Sequence, residues 1–176
     1  NLFIKHGLLE EEIRVDDAAL PELRDALRRQ QILDKLVVCS NVGYQDAASI
    51  IDSCTYIIGG TGRVKNVIDK NGAHILSPRL TDGGLSITDM GSKILYDRRT
   101  VPVHVDGQYQ PTSGLGQGPA VLMVEQDAVE FVLRGRNVFH GFILACDPWL
   151  KAGQTCFIVD EQGALIGHGL AQCDAD

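Results

Sequence analysis

Apolar residues recur along the chain with two periods, and the points where the period changes divide it into short elements. Over DDAALPELRDALRRQQILDKL, residues 16–36, Leu20, Leu23, Leu27 and Ile32 fall near one stripe opposite a charged face, which predicts an amphipathic helix with Pro21 in its first turn. KLVVCS, 35–40, is short and apolar enough to read as a buried strand. GYQDAASIIDSCTYII, 43–58, returns to helical spacing through Ala47, Ile50, Ile51 and Cys54 and halts at Gly59-Gly60. NVIDKNGAHIL and GGLSITDMGSKIL then alternate, divided by turn residues at Asp69 to Gly72 and Asp82 to Gly84. These segments make a small α+β unit over residues 1–105. VPVHVDGQ leads into PTSGLGQGP, a Gly, Pro and Ser-rich stretch that reads as the boundary to a second unit, 118–176.

In that unit AVLMVE predicts a strand and QDAVEFVLRG a short helix with Ala128, Val129, Val132 and Leu133 inward. VFHGFILAC, QTCFIVDE and ALIGHGLAQ predict strands, joined by DPWLKAG and by a hairpin turn from Glu161 to Gly163. A strand, a helix and several strands in so short a span read as a small, partly open β-barrel capped by the helix. The fold class is α+β.

Composition narrows the function classes. At 176 residues and 44% hydrophobic, the chain can bury one large core or two small ones. No stretch reaches the ~18–20 consecutive apolar residues of a membrane helix, and NLFIKHGLLEEE lacks the order of a signal peptide, so the expectation is a soluble protein in the cytoplasm with no membrane partner. Asn1 stands where an initiator methionine would, so a longer parent chain stays open. The five cysteines are widely spaced without a CxxC pair, and no histidine stands at metal-ligand spacing. Buried free thiols are expected, with no metal and no cofactor.

The net charge of −7 opposes indiscriminate nucleic-acid binding, but the charge is unevenly placed. Residues 1–54 carry six basic and ten acidic side chains, 55–100 seven and four, and 118–176 three and eight. A polyanion would meet the basic middle first, at Arg63, Lys65, Lys70, Arg79, Lys93, Arg98 and Arg99; a solvated face of mixed charge is the alternative.

Two glycine clusters invite a phosphate-loop reading. Gly114, Gly116 and Gly118 precede a strand pattern instead of a helix, so a flexible connector is the better reading. GGTGR at 59–63 lacks the Lys-Ser/Thr ending of a P-loop; it reads first as a helix-ending turn and second as an RNA-phosphate contact through Arg63 and Lys65. No spacing joins His74, Asp82, His104 and Asp106 into an acid/base pair, and neither Ser40 nor Ser113 sits in a nucleophile elbow. No catalysis is expected from the chain itself.

The last third, VEQDAVEFVLRGRNVFHGFILACDPWLKAGQTCFIVDEQGALIGHGLAQ, resembles a PUA domain, an RNA-binding module of pseudouridine synthases and archaeosine transglycosylases. The likeness covers the apolar helix, Gly135, the V-F-x-G-F turn around Gly141, the Asp-Pro loop and a closing G-x-G-x-A strand; His140 stands where PUA domains commonly have proline. Residues 44–100 are similar to the domain before the PUA module in archaeal tRNA-guanine transglycosylases, whose catalytic barrel is absent. The resemblance implies binding of structured RNA, tRNA above all, and an RNA contact lined by Arg134, Gly135, Arg136, Val138, Phe139, Gly141 and Phe142. Arginine can pair with phosphate or stack on a base, and an exposed aromatic can stack too. Against this, Val138, Phe139 and Phe142 are also candidates to fill the barrel, with alternation from Ile143 turning Phe142 inward, and Trp149 suits an apolar lid. The alternative is a protein-interaction subunit whose acidic and leucine-rich surfaces dock a catalytic tRNA-modifying subunit or a ribosomal partner.

Overall fold

A computed structural model describes residues 19–112 and 118–175; Ser113, Gly114, Gly116 and the start of the first predicted helix lie outside them. Helix α1 (Leu20–Ser40) carries Pro21 and Glu22 in its first turn, where a missing N–H costs nothing and an anion suits the helix dipole. Its inward stripe is Ile32, Leu33, Leu36 and Ser40. Leu23 and Leu27, expected on that stripe, are 41% and 54% exposed because the core meets only the second half of the helix.

The helix also runs through KLVVCS, which is therefore not a strand. Val37 and Val38 lower helix propensity only slightly, and packing of Leu33 and Leu36 on the core outweighs that cost. Asn41 ends the helix at φ 51°, a left-handed position that asparagine tolerates better than most residues. Its backbone carbonyl accepts the Gly118 N–H at 2.9 Å, and its side-chain amide donates to the Gly118 carbonyl at 2.9 Å.

Helix α2 (Tyr44–Asp52) buries Ala47, Ile50 and Ile51. It stops at Asp52, well before Gly59, because Ser53 returns its N–H and hydroxyl to Ile50 and the β-prone Thr-Tyr-Ile-Ile run pairs as a strand instead. Strands β1 (Thr55–Ile58), β2 (Val64–Ile68), β3 (His74–Pro78) and β4 (Leu85–Ile87) form an antiparallel meander in that order. The Asp69 carboxylate accepts the Asn71 and Ala73 N–H groups in one turn, and Asp82 accepts the Gly84 N–H in another, as the turn chemistry predicts.

Helix α3 (Asp89–Tyr96) follows, so GSKIL is helical where alternation suggested a strand. Thr88 caps it, its hydroxyl oxygen accepting the Gly91 N–H at 3.1 Å. A hairpin of β5 (His104–Val105) and β6 (Gln108–Tyr109) turns on Asp106-Gly107, both at positive φ.

In the last third, β7 (Ala120–Val124), helix α4 (Gln126–Leu133), β8 (Ile143–Cys146), β9 (Thr155–Val159) and β10 (Leu165–Leu170) build one mixed sheet of order β10-β9-β7-β8. β7 is parallel to β9 and antiparallel to β8. Among the described residues the pairings make an open sheet. One continuous core runs from Leu33 and Leu36 through Ile75 and Leu95 to Val121, Phe157 and Val159. Tyr96 lies against Phe157 with ring centroids 6.5 Å apart and donates its hydroxyl to the Gly163 carbonyl. None of the five cysteines is in a disulfide, yet only Cys156 is fully buried; Cys39, Cys54 and Cys146 are half-buried and Cys173 is exposed.

Candidate nucleic-acid interface

Helix α4 turns Ala128 and Val132 into a small cluster with Val124 and Ile158, against which Leu122, Val138 and Ile166 pack. Leu133, expected inward, is 66% exposed. The helix closes with two bonds, Arg136 N–H to the Phe131 carbonyl and Gly135 N–H to the Val132 carbonyl, and Gly135 sits at φ 71°. That pattern requires a left-handed residue just past the helix, which is why glycine stands there.

The segment then crosses to a single 3-10 turn, His140–Phe142, before β8. Phe142 N–H bonds to the Phe139 carbonyl, and the Glu125 N–H at the start of α4 bonds to the Phe142 carbonyl, so the loop is tied at both ends. Phe142 therefore lies in a turn and not in the strand; alternation does not govern it, and it is 37% exposed instead of core. Phe131 and Leu133 of α4, Phe139 and Phe142 of the loop and Leu144 of β8 are each exposed. Val138 is the half-buried anchor of this loop. Arg134 forms an exposed pair with Glu130 at 3.0 Å, whereas the Arg136 side chain has no partner among the described residues. A Cβ added at Gly141 would meet open space.

Arg63 and Lys65 lie in the other half of the chain. Gly59 N–H bonds to the Arg63 carbonyl, so GGTGR is the hairpin turn between β1 and β2 and not a helix end. Lys65 is the extra residue of a bulge, since Ile57 pairs with Asn66 and Ile58 with Val64. Both side chains are exposed. Across from the turn, Arg28 donates Nε and Nη2 to the Gly62 carbonyl at 3.2 and 3.0 Å. A cleft of about 450 Å³ opens there, lined by Arg24, Leu27, Arg28 and Gln31 of α1 and residues 61–63 of the turn. No spacing in the sequence singles out Arg24 or Arg28; the fold alone places them across from the β1–β2 turn.

The other basic candidates separate. Lys70 and Lys93 are exposed, Arg79 is paired with Asp82 at 2.9 Å, and Arg98 lies 3.3 Å from Asp46. Arg99 is unavailable to a polyanion: its side chain is 3% exposed and bonds to a fully buried Asp147 at 2.8 Å. The same carboxylate accepts the Thr112 and Val121 N–H groups and the Tyr109 hydroxyl. Burial and then the neighbouring Asp147 raise the Tyr109 hydroxyl's pKa, which keeps it a donor. Trp149 donates Nε1–H to the Thr112 hydroxyl at 2.8 Å and packs beside Leu150, as a lid would.

Of the residues weighed for acid/base chemistry, His74 bonds to the Ser77 hydroxyl and Asp82 to Arg79, while His104 and Asp106 belong to the β5–β6 hairpin. Burial raises the thiols of Cys39 and Cys54 and pushes Cys156 up to about 11, so these are protonated and poorly nucleophilic near neutrality. Among the described residues no helix is long and apolar enough to cross a membrane.

The stretch that contains α4, the tied loop and β8–β10 matches the PUA domain family over residues 120–176. Those residues are a PUA domain. The chain is 30% identical over 109 residues to a tRNA-guanine(15) transglycosylase of Methanocaldococcus jannaschii, covering 62% of this chain and 14% of that protein. With the corresponding protein of Methanosphaera stadtmanae it shares 25% identity over 170 residues, 94% of this chain and 22% of the relative. The chain thus spans less than a quarter of the length of either. A crystal structure of a hypothetical protein from Pyrococcus horikoshii has a similar fold, with TM-score 0.58, 16% identity, and coverage of 85% of this chain and 80% of that one.

Proposed function

We propose that the protein binds structured RNA, tRNA above all, through the tied loop between α4 and β8 of its PUA domain, and that it performs no reaction on its own. The observation that carries this reading is a pinned loop with Phe139 68% exposed inside the segment that matches the PUA family. A loop bonded at both ends loses little entropy on binding, and an exposed ring offers a stacking platform for a base. Gly141 has open space where a side chain would stand, so no described residue demands glycine there, and bare backbone lets a ribose or phosphate come close. Arg136 is free to pair with phosphate, and the exposed Arg134–Glu130 pair is weak enough to give way. The tRNA reading draws on the names of the transglycosylase relatives; their catalysis is not carried over to a chain that spans 14% and 22% of them.

Replacing Phe139 with alanine removes the stacking face while leaving the loop bonds, which are all backbone. Base stacking on an aromatic contributes about 1–3 kcal/mol, so affinity for a tRNA transcript should fall by about 5- to 150-fold with the melting temperature held. Unchanged affinity would refute the site. A second reading, docking of a catalytic tRNA-modifying subunit or a ribosomal partner, is favoured by the exposed Leu23 and Leu27 of α1. It requires a protein complex that resists salt, because apolar burial is not screened.

A further inference from the structure

We infer that the cleft between α1 and the β1–β2 turn is a second, sequence-independent grip on the RNA backbone, taking phosphodiester groups between Arg24 and Arg63. This rests on the RNA reading above but uses none of the PUA residues. Arg24, Leu27, Arg28 and Gln31 are spaced 3, 4 and 7 along α1 and so share one face of the helix. Arg28 is committed to structure: two of its nitrogens hold the Gly62 carbonyl and the third meets Asp25 at 2.7 Å. That clamp fixes the turn against the helix and sets the width of the cleft.

Arg24 and Arg63, one on each side, have no side-chain partner among the described residues. Among the described residues no carboxylate lines the cleft. Glu22 is two residues from Arg24 and so points to a different face, Asp25 is engaged by Arg28, and Asp52 is held by Arg29 at 2.6 Å. Lys65, thrown outward by the bulge just past the turn, adds to the positive field.

Two unpaired guanidinium forks facing one cleft suit a doubly contacted phosphate chain, because each fork can make paired bonds to phosphate oxygens. Leu27 supplies an apolar floor for a ribose and Gln31 a donor and acceptor. An apolar protein partner is the weaker fit, since seating it would strip water from both arginines without pairing them.

The test compares wild type, the Arg24→Gln/Arg63→Gln double variant and Phe139→Ala for binding of a tRNA transcript over a salt series, with a tripolyphosphate titration in parallel. Both arginines are exposed or unpartnered, so the double variant should melt like wild type. It should bind the transcript about tenfold more weakly, with the slope of log K against log salt reduced by roughly 2, one per lost contact, and should lose tripolyphosphate binding. Phe139→Ala should lose affinity while keeping the slope. Retained transcript affinity and slope in the double variant overturn the cleft, whether or not tripolyphosphate binding is lost. A wild type that fails to bind the transcript at low salt overturns both this inference and the RNA reading.

Discussion

Replacing Arg99 with methionine separates the structural role found for this residue from the polyanion contact its charge suggested. Its guanidinium donates to the carbonyls of Val101, Gln110 and Pro119 at 2.9, 2.9 and 3.1 Å and to the two Asp147 oxygens at 2.8 and 3.3 Å. With side-chain exposures of 3% and 0%, neither partner can be rehydrated without opening the packing. Removing one member of such a pair leaves an uncompensated buried charge and costs about 3–5 kcal/mol. Set against a total stability of about 5–15 kcal/mol, that is a large share. For a chain of this size it corresponds to a fall in melting temperature of roughly 6–20 °C. Urea and thermal denaturation followed by circular dichroism measure it, with Arg134→Met as the control: that exposed i,i+4 pair is worth at most about 0.5 kcal/mol. The double variant Arg99→Met/Asp147→Leu should be less destabilised than the sum of its single changes, because it buries no orphan charge. An Arg99→Met protein as stable as wild type within about 1 kcal/mol, but with weakened tRNA binding, would refute the reasoning and return Arg99 to the surface.

Two further expectations follow from packing and burial. Gly91 of α3 lies so close to β3 that an added Cβ would clash with the Ile75 carbonyl oxygen, so Gly91→Ala should lower stability by about 1–3 kcal/mol, read as a reduced urea midpoint. At pH 8 a thiol reagent should modify exposed Cys173 quickly and Cys156 only on unfolding. Because burial raises Cys156 from 9.0 to about 11, its neutral thiol favours the folded state below pH 9, and that contribution is lost as pH rises from 9 through about 11. Stability measured across that range should decline less steeply in Cys156→Ala than in wild type.

Sequence patterns were most informative where local chemistry decides the structure. The Asp69–Gly72 and Asp82–Gly84 turns, the helix ending at Gly135 and the strand-helix-strand order after Ala120 could all be read from residue type and spacing, since each depends on side chains within a few positions. Patterns failed where a distant partner decides. LVVC is helical because Leu36 faces the core, and TYII is a strand because β2 is available to pair with it, facts that no window of sequence contains. Leu133 reads as core from its place on the apolar face of the helix and Phe142 from alternation with Ile143, yet both remain exposed. Arg99 and Arg63 carry the same charge and belong to the same basic stretch. Their opposite fates depend on Asp147, 48 residues beyond Arg99.

The acidic balance of the PUA third then takes a different meaning. With three basic and eight acidic side chains over residues 118–176, and with Lys151 placed 3.0 Å from Asp174, the loop between α4 and β8 has little spare positive charge. Its exposed features are rings and bare backbone, suited to reading a base or ribose at short range. Long-range attraction for a polyanion would have to come from elsewhere, and in the proposed cleft Arg24 and Arg63, with the nearby Lys65, would supply it from the first half of the chain. One continuous core joins the halves, so a polynucleotide gripped by charge at the cleft would meet the stacking loop on a single connected body instead of on two tethered parts. The two contributions should therefore differ in kind: charge removal at the cleft changes the salt dependence, whereas ring removal at Phe139 changes affinity equally at every salt concentration.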